Sequence, residues 1–232
     1  MIQIKSILVA VLLCTIVGTV SAQTPKFEFE LKKIEIHDDI YSPAFGEQID
    51  KKAPTQPQKW AVLFVRYELM FDPKYKAPET ALDNGKWLDT SEIKWEFLYK
   101  PEKAKNVIQN YVRFSKDVKY VNVDEGKHTA MIFISPKILK RFFDEGKTIK
   151  KDLMLRVSFK ANGLRQKIKI GKDYFDAAYF ANGKLSKEGP KLAPYFDTDK
   201  SKPITDVVQS REETPFGVLQ YDQFDSIAVE KK

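Results

Sequence analysis

Cysteine is almost absent. The only one among 232 residues is Cys14, inside the first apolar stretch. Bulky Leu13 before it and apolar sequence after it do not suit a lipid-attachment site. No long apolar run exists either. Ile7 to Val20 spans about 14 residues, short of the roughly 20 that cross a bilayer. Lys5 precedes that run, and Val20-Ser21-Ala22 supplies the small residues read by signal peptidase, so residues 1–22 read as a signal peptide cleaved before Gln23. A retained anchor helix is the alternative. The mature chain of 210 residues then has no cysteine and can form no disulfide. At that length it can bury enough apolar surface without one. A bacterial periplasm or cell surface suits an exported, disulfide-free chain better than an animal secretory route does.

Arginine, histidine and glycine are also scarce. Six arginines stand among 39 basic residues, and removing Lys5 leaves 38 bases against 32 acids, a net charge of about +6. Arg is the usual choice for bidentate phosphate recognition, whereas Lys more often lies on a solvated face. Together with an export signal, this argues against nucleic acid as a partner and leaves a general preference for anionic partners. Ten glycines form no phosphate-binding loop, no Gly-x-Ser-x-Gly turn occurs, and no mature cysteine remains to act as a nucleophile. The two histidines, His37 and His128, make no ligand set. His37 sits beside Asp38-Asp39, but neighbouring strand residues point to opposite faces, so a turn is the simpler reading. His128 reads as a surface strand residue. Asp38-Asp39, Asp144-Glu145 and Glu212-Glu213 are adjacent in sequence, not spaced across a substrate. Asp197-Thr198-Asp199 lacks the glycine and terminal Glu of a calcium loop. No cofactor and no metal site are expected.

What the chain has in abundance is alternation. Phe27, Phe29 and Leu31 alternate with charged residues; the phase slips at Lys32-Lys33 and resumes at Ile34 and Ile36, as a β-bulge would produce. Trp60 to Phe71 is nearly continuous apolar sequence, the pattern of a central strand. Ile93, Trp95, Phe97 and Tyr99 alternate with Lys94, Glu96, Leu98 and Lys100, as a half-buried strand would. Tyr111–Phe114, Val118–Val123 and Thr129–Ile134 read as three further strands, the last two joined by a turn at Asp124-Glu125-Gly126. One helix follows. Ser135 can cap it, Pro136 suits its first turn, Ile138, Leu139, Phe142 and Phe143 form its apolar stripe, and Gly146 can end it.

Leu153, Leu155, Val157 and Phe159 then alternate up to Asn162-Gly163, a type I′ turn signal. A two-residue turn would set Ala161 opposite Leu164, Phe159 opposite Gln166, Val157 opposite Ile168 and Leu155 opposite Ile170. These elements specify a mainly β fold: an antiparallel immunoglobulin-like β-sandwich over 23–171 with one short crossover helix. Two proline-bearing insertions, Ser42–Gln58 and Asp72–Ser91, interrupt it. Residues 172–232 carry Pro190, Pro194, Pro203 and Pro215 among clustered aromatics, which reads as an extension packed on the sandwich or on a partner.

The same hairpin register makes a binding hypothesis. It places Lys160 opposite Arg165, Ser158 opposite Lys167, and Arg156 opposite Lys169. Like charges directly opposite one another are destabilising, so five cations on one ribbon call for compensation. Either Glu92 or Glu96 on a neighbouring strand supplies it, or the ribbon docks an acidic glycan, lipid headgroup or acidic protein. Trp60 and Trp95 lie in apolar strands and read as core. Trp87, beside Asn84-Gly85-Lys86, reads as a loop residue able to stack on a sugar.

The closing stretch Glu213-Thr214-Pro215-Phe216-Gly217, continuing to Tyr221-Asp222-Gln223-Phe224, adds a resemblance. It is similar to the "TPF…YDRY" ending of small secreted proteins of Verrucomicrobia-type bacteria, some encoded beside type IV pilus-like assembly genes. Gln223-Phe224 replaces the Arg-Tyr of that ending. The resemblance implies an immunoglobulin-like fold, no catalytic residues, and a non-enzymatic role in envelope or pilus-like assembly or host contact. Envelope proteins are then the expected partners, with acidic glycans as the alternative.

Overall fold

The computed structural model describes residues 27–41, 58–74, 87–101, 111–143, 149–186, 189–197, 203–205 and 207–217. The leader, Asn84-Gly85, Asp144-Glu145, Gly146 and the 218–224 part of the closing stretch lie outside the described residues.

Five strands come first: β1 Phe27–Tyr41, β2 Lys59–Phe71, β3 Trp87–Tyr99, β4 Val112–Asp124 and β5 Gly126–Ile134. Helix α1 (Pro136–Phe142) and the single turn α2 (Ile149–Asp152) lead to β6 Leu153–Ala161. The short strands β7 Leu164–Gln166, β8 Ile168–Ile170, β9 Asp173–Phe175, β10 Ala178–Ala181 and β11 Lys184–Leu185 follow, then α3 (Gly189–Phe196) and β12 (Val208–Ser210). They form two sheets. The first has the order β12-β5-β2-β1-β8-β9, the second β11-β10-β6-β3-β4 with β7 on the side of β6. This is the two-layer, antiparallel-rich β-sandwich that the alternation specifies.

One aromatic-rich core holds the sheets together. Phe29 of the first sheet and Phe159 of the second have ring centroids 5.0 Å apart, and Tyr67 lies 5.1 Å from Phe159. Ile93, Trp95 and Phe97 are fully buried on the facing strand. The anticipated slip is present as a register shift between Leu31 and Lys33, with a second between His37 and Ile40. The Asn162-Gly163 turn is also as expected: φ is 49° and 79°, and three residue pairs follow from Ala161–Leu164 to Phe159–Gln166.

Beyond Gln166 the hairpin expectation fails. The chain leaves the second sheet at Lys167, and Ile168 pairs in parallel with Phe29 on β1 of the first. The places opposite Val157 and Leu155 are taken by Ala178 and Phe180 of β10. The reason is that both sheets turn an inner face towards the same core. Ile168 is fully buried on the first sheet, and an inward phase on the second would meet the same core, so alternation chooses its face and leaves its sheet open.

Three smaller differences have local causes. The strands expected at Tyr111–Phe114 and Val118–Val123 are one continuous edge strand, β4, which starts at Val112, because the intervening Ser115-Lys116-Asp117 can meet solvent at an edge. The Asp124-Glu125-Gly126 turn does not make a hairpin within one sheet; it carries the chain from β4 in the second sheet to β5 in the first. Ser135 stands at the N-cap of α1 without a side-chain cap bond, and the helix ends with Phe143 already extended. Phe143 is drawn out by the core, where its ring lies 4.4 Å from Tyr99.

The extension is woven into the sandwich. Past residue 171, β9 and β12 join the first sheet, β10 and β11 the second, and α3 packs on β3 and β10. Phe216 of the closing stretch lies on the outer face of the first sheet, stacked 5.0 Å from Phe133 and edge-on at 5.5 Å to Trp60. Phe159→Ala removes the ring shared by both sheets and is expected to cost about 3–5 kcal/mol, read as a lower midpoint in urea unfolding.

Candidate interaction surface on the second sheet

With Ile93, Trp95 and Phe97 turned inward, Glu92, Lys94 and Glu96 line the outer face of β3. Their cross-strand partners set the electrostatics. Glu92 lies between Lys160 of β6 and Lys119 of β4; Lys94 between Ser158 and Asp117; Glu96 between Arg156 and Ser115. Lys160 pairs with Glu92. Glu96 is only 3% exposed, and Arg156 Nε donates to its Oε2 at 2.8 Å while Arg113 Nη2 donates to Oε1 at 3.1 Å. A buried carboxylate needs such partners, because an unpaired one is costly to desolvate.

Arg156 also bonds to Asp197, just after α3, and its guanidinium lies 5.0 Å from the centre of the Phe196 ring. Burial works to lower its pKa; the bonds to Asp197, Glu96 and Tyr179 outweigh that and hold it above the ordinary arginine value. The side chain thus locks the extension onto the sheet.

The expected cationic ribbon is therefore dismantled. Lys160 does face Arg165, but Arg156 faces Glu96 and Tyr179, and Ser158 does not face Lys167. Lys169 belongs to the first sheet, where its Nζ donates to Glu28 Oε1 at 2.8 Å. Arg165 is exposed and, among the described residues, reaches only the Asp176 carbonyl, at 3.4 Å; Lys167 is exposed on the link between the sheets. Trp87 is not a loop residue. It opens β3, opposite Asp124, and is half-buried. The neutralising acids are the ones the sequence offered, Glu92 and Glu96. The pairing of Arg156 with Asp197, forty-one residues away, leaves no local sequence signal.

His128 also departs from expectation. Register puts it opposite Tyr67 on the inner face, stacked at 5.2 Å, with Nε2 2.8 Å from the Asp124 carbonyl oxygen. His37 is exposed within β1, edge-on to Phe64, and Asp38-Asp39 do not form the expected turn; they continue the strand across the register shift before Ile40. No group of three or more potential metal ligands occurs among the described residues. None of their helices is long and apolar enough to cross a membrane.

The second sheet ends on a long strand. Ser115 N donates to the Ile204 carbonyl, and Ile204 N donates to the Arg113 carbonyl, so the backbone groups of 113 and 115 point away from β3. Strand alternation turns those of Asp117, Lys119 and Val121 the same way. No described residue pairs with them there. Ile204 covers one end of this window, and Asn122, with φ 54°, bends the strand at the other.

The chain matches known proteins at two levels. One family model matches residues 20–231. A crystal structure of a protein from Akkermansia muciniphila shares the fold, with a TM-score of 0.62 and 21% identity over 88% of this chain and 95% of that one. No curated protein matches in sequence.

The Lys169–Glu28 pair gives a pH test of the strand switch. Burial would raise the Glu28 pKa, but the bonds from Lys169 and Tyr174 reverse this and leave it below the ordinary glutamate value. A depressed folded-state pKa contributes stability above the unfolded value and loses it as pH falls through the folded one. Lys169→Met is expected to lower the urea midpoint at neutral pH, with the gap to wild type closing as acid protonates Glu28.

Proposed function

This chain belongs to the family matched over residues 20–231, and on that footing we propose that it is an exported, non-enzymatic assembly module of the bacterial envelope. Its partners are envelope proteins, including pilus-like ones, met at the periplasm or cell surface. The leader at residues 1–22 supports export, and the closing Thr214-Pro215-Phe216 supports the pilus-like association. The observation that carries the reading is the open window of β4. An edge strand with free donors and acceptors is a template for strand addition from a partner, and here the alternating charges of Glu92, Lys94, Asp117 and Lys119 flank it.

A second reading, recognition of acidic glycan, keeps one specific support. Arg165 and Lys167 are exposed, and neither forms an ion pair with a carboxylate among the described residues.

A photo-crosslinking residue at position 119, introduced in the native bacterium, distinguishes the two. The assembly reading expects discrete adducts with envelope proteins from position 119 and none from exposed position 140 on α1. Equal yields from both positions, or none, would contradict it. Binding to sulfated glycan that falls in Arg165→Gln/Lys167→Gln, without adducts at 119, would favour the glycan reading.

A further inference from the structure

We propose that the partner strand on β4 is β4 of a second copy of this chain, paired antiparallel about Val118. The inference rests on reading β4 as a contact edge, and it names the occupant.

Across the second sheet one row runs Lys160, Glu92, Lys119, and the row beside it runs Ser158, Lys94, Asp117. Charges alternate along each row, and each row stops at the edge on a charge beyond which no described residue pairs with β4. The two terminal charges are opposite and sit two residues apart on β4. An antiparallel copy centred on Val118 places Lys119 opposite Asp117 of the second copy, and Asp117 opposite its Lys119. The first row then continues Lys160, Glu92, Lys119, Asp117, Lys94 without breaking alternation. A register centred on Lys119 instead sets lysine against lysine, and like charges directly opposite are unfavourable.

Backbone geometry selects the same register. The groups of 117 and 119 point outward, so residue 117 of each copy exchanges both hydrogen bonds with residue 119 of the other. The open window is short, and it is bounded by Ile204 at 113–115 and by the left-handed Asn122. A centre at Val118 lies inside it. The contact joins two sheets edge to edge by a two-fold axis, the closed symmetry that prevents further growth.

The test uses the mature chain in sedimentation equilibrium over a concentration series. Wild type is expected to self-associate. Lys119→Pro removes only an outward N–H, which edge strands tolerate, and leaves the bonds to β3 in place. It is expected to stay folded by circular dichroism and to sediment as a monomer. Asp117→Lys and Lys119→Asp each set like charges opposite one another twice, and each should weaken self-association by about tenfold or more. Mixed together, these two variants are complementary and should recover wild-type affinity as a heterodimer.

A monomeric wild type would overturn the proposal. So would a folded Lys119→Pro that associates like wild type, or a mixture no tighter than either variant alone. If wild type is monomeric while adducts to envelope proteins form at position 119, the edge serves another protein; self-pairing falls and the assembly reading stands.

Discussion

A strand carries hydrogen-bonding groups on both sides, so the last strand of any open sheet has half of its backbone groups without a ladder partner. The sandwich meets this constraint unevenly. The first sheet ends on the three-residue strands β12 and β9, and one side of the second ends on the two-residue β11. Each of these edges is brief. The three-residue β7 forms another brief edge beside β6, whereas β4, on the opposite side of the second sheet, is thirteen residues long. Ile204 closes it over a few residues and Asn122 bends it, yet the window between them stays open. Stretches of β1 and β5 beyond those short partners also lack a strand neighbour among the described residues, and what distinguishes β4 is the alternating charge that ends on it.

Electrostatics on the outer face act in concert with the edge. Glu96 is buried between Arg113 and Arg156, and Arg156 in turn grips Asp197 and the ring of Phe196. That network converts what would be a repulsive cationic face into an alternating ladder, and it fastens the C-terminal segment over the far side of the sheet. Lys116 ties β4 to Glu213 beside the first sheet in a similar way. The aromatic stretch at Phe216 is held separately, by Trp60 and Phe133. The extension therefore stabilises the sandwich from two sides and leaves β4 between its anchor points.

Much of this fold can be read from the residues. Period-two alternation marks the core positions of β1, β3 and β6 and the bulge after Leu31, a nearly continuous apolar run marks β2 as a central strand, and Asn162-Gly163 marks its turn, because each depends on neighbours within a few residues. Sheet membership could not be read so directly. Ile168 meets the core equally well from either layer, and nothing in Lys167 announces the crossing. That one change of sheet moved Lys169 to Glu28 and left Arg156 to Glu96, which dissolved the ribbon inferred from local register. His128, beside Lys127 and with no acid on its strand face, reads as a surface residue, although Ala130, Ile132 and Ile134 share its face. Edge status is less legible still, since it depends on which strand pairs with which across more than a hundred residues.

The claim at the centre of the account is that the outward backbone of β4 is free. Residue-resolved amide hydrogen exchange at low protein concentration tests it directly. The account predicts rapid exchange at Asp117, Lys119 and Val121, alternating with protection at Val118 and Tyr120, which bond to β3. Uniform protection from Asp117 to Val121 under those conditions would show the edge already satisfied within a single chain, and would contradict it.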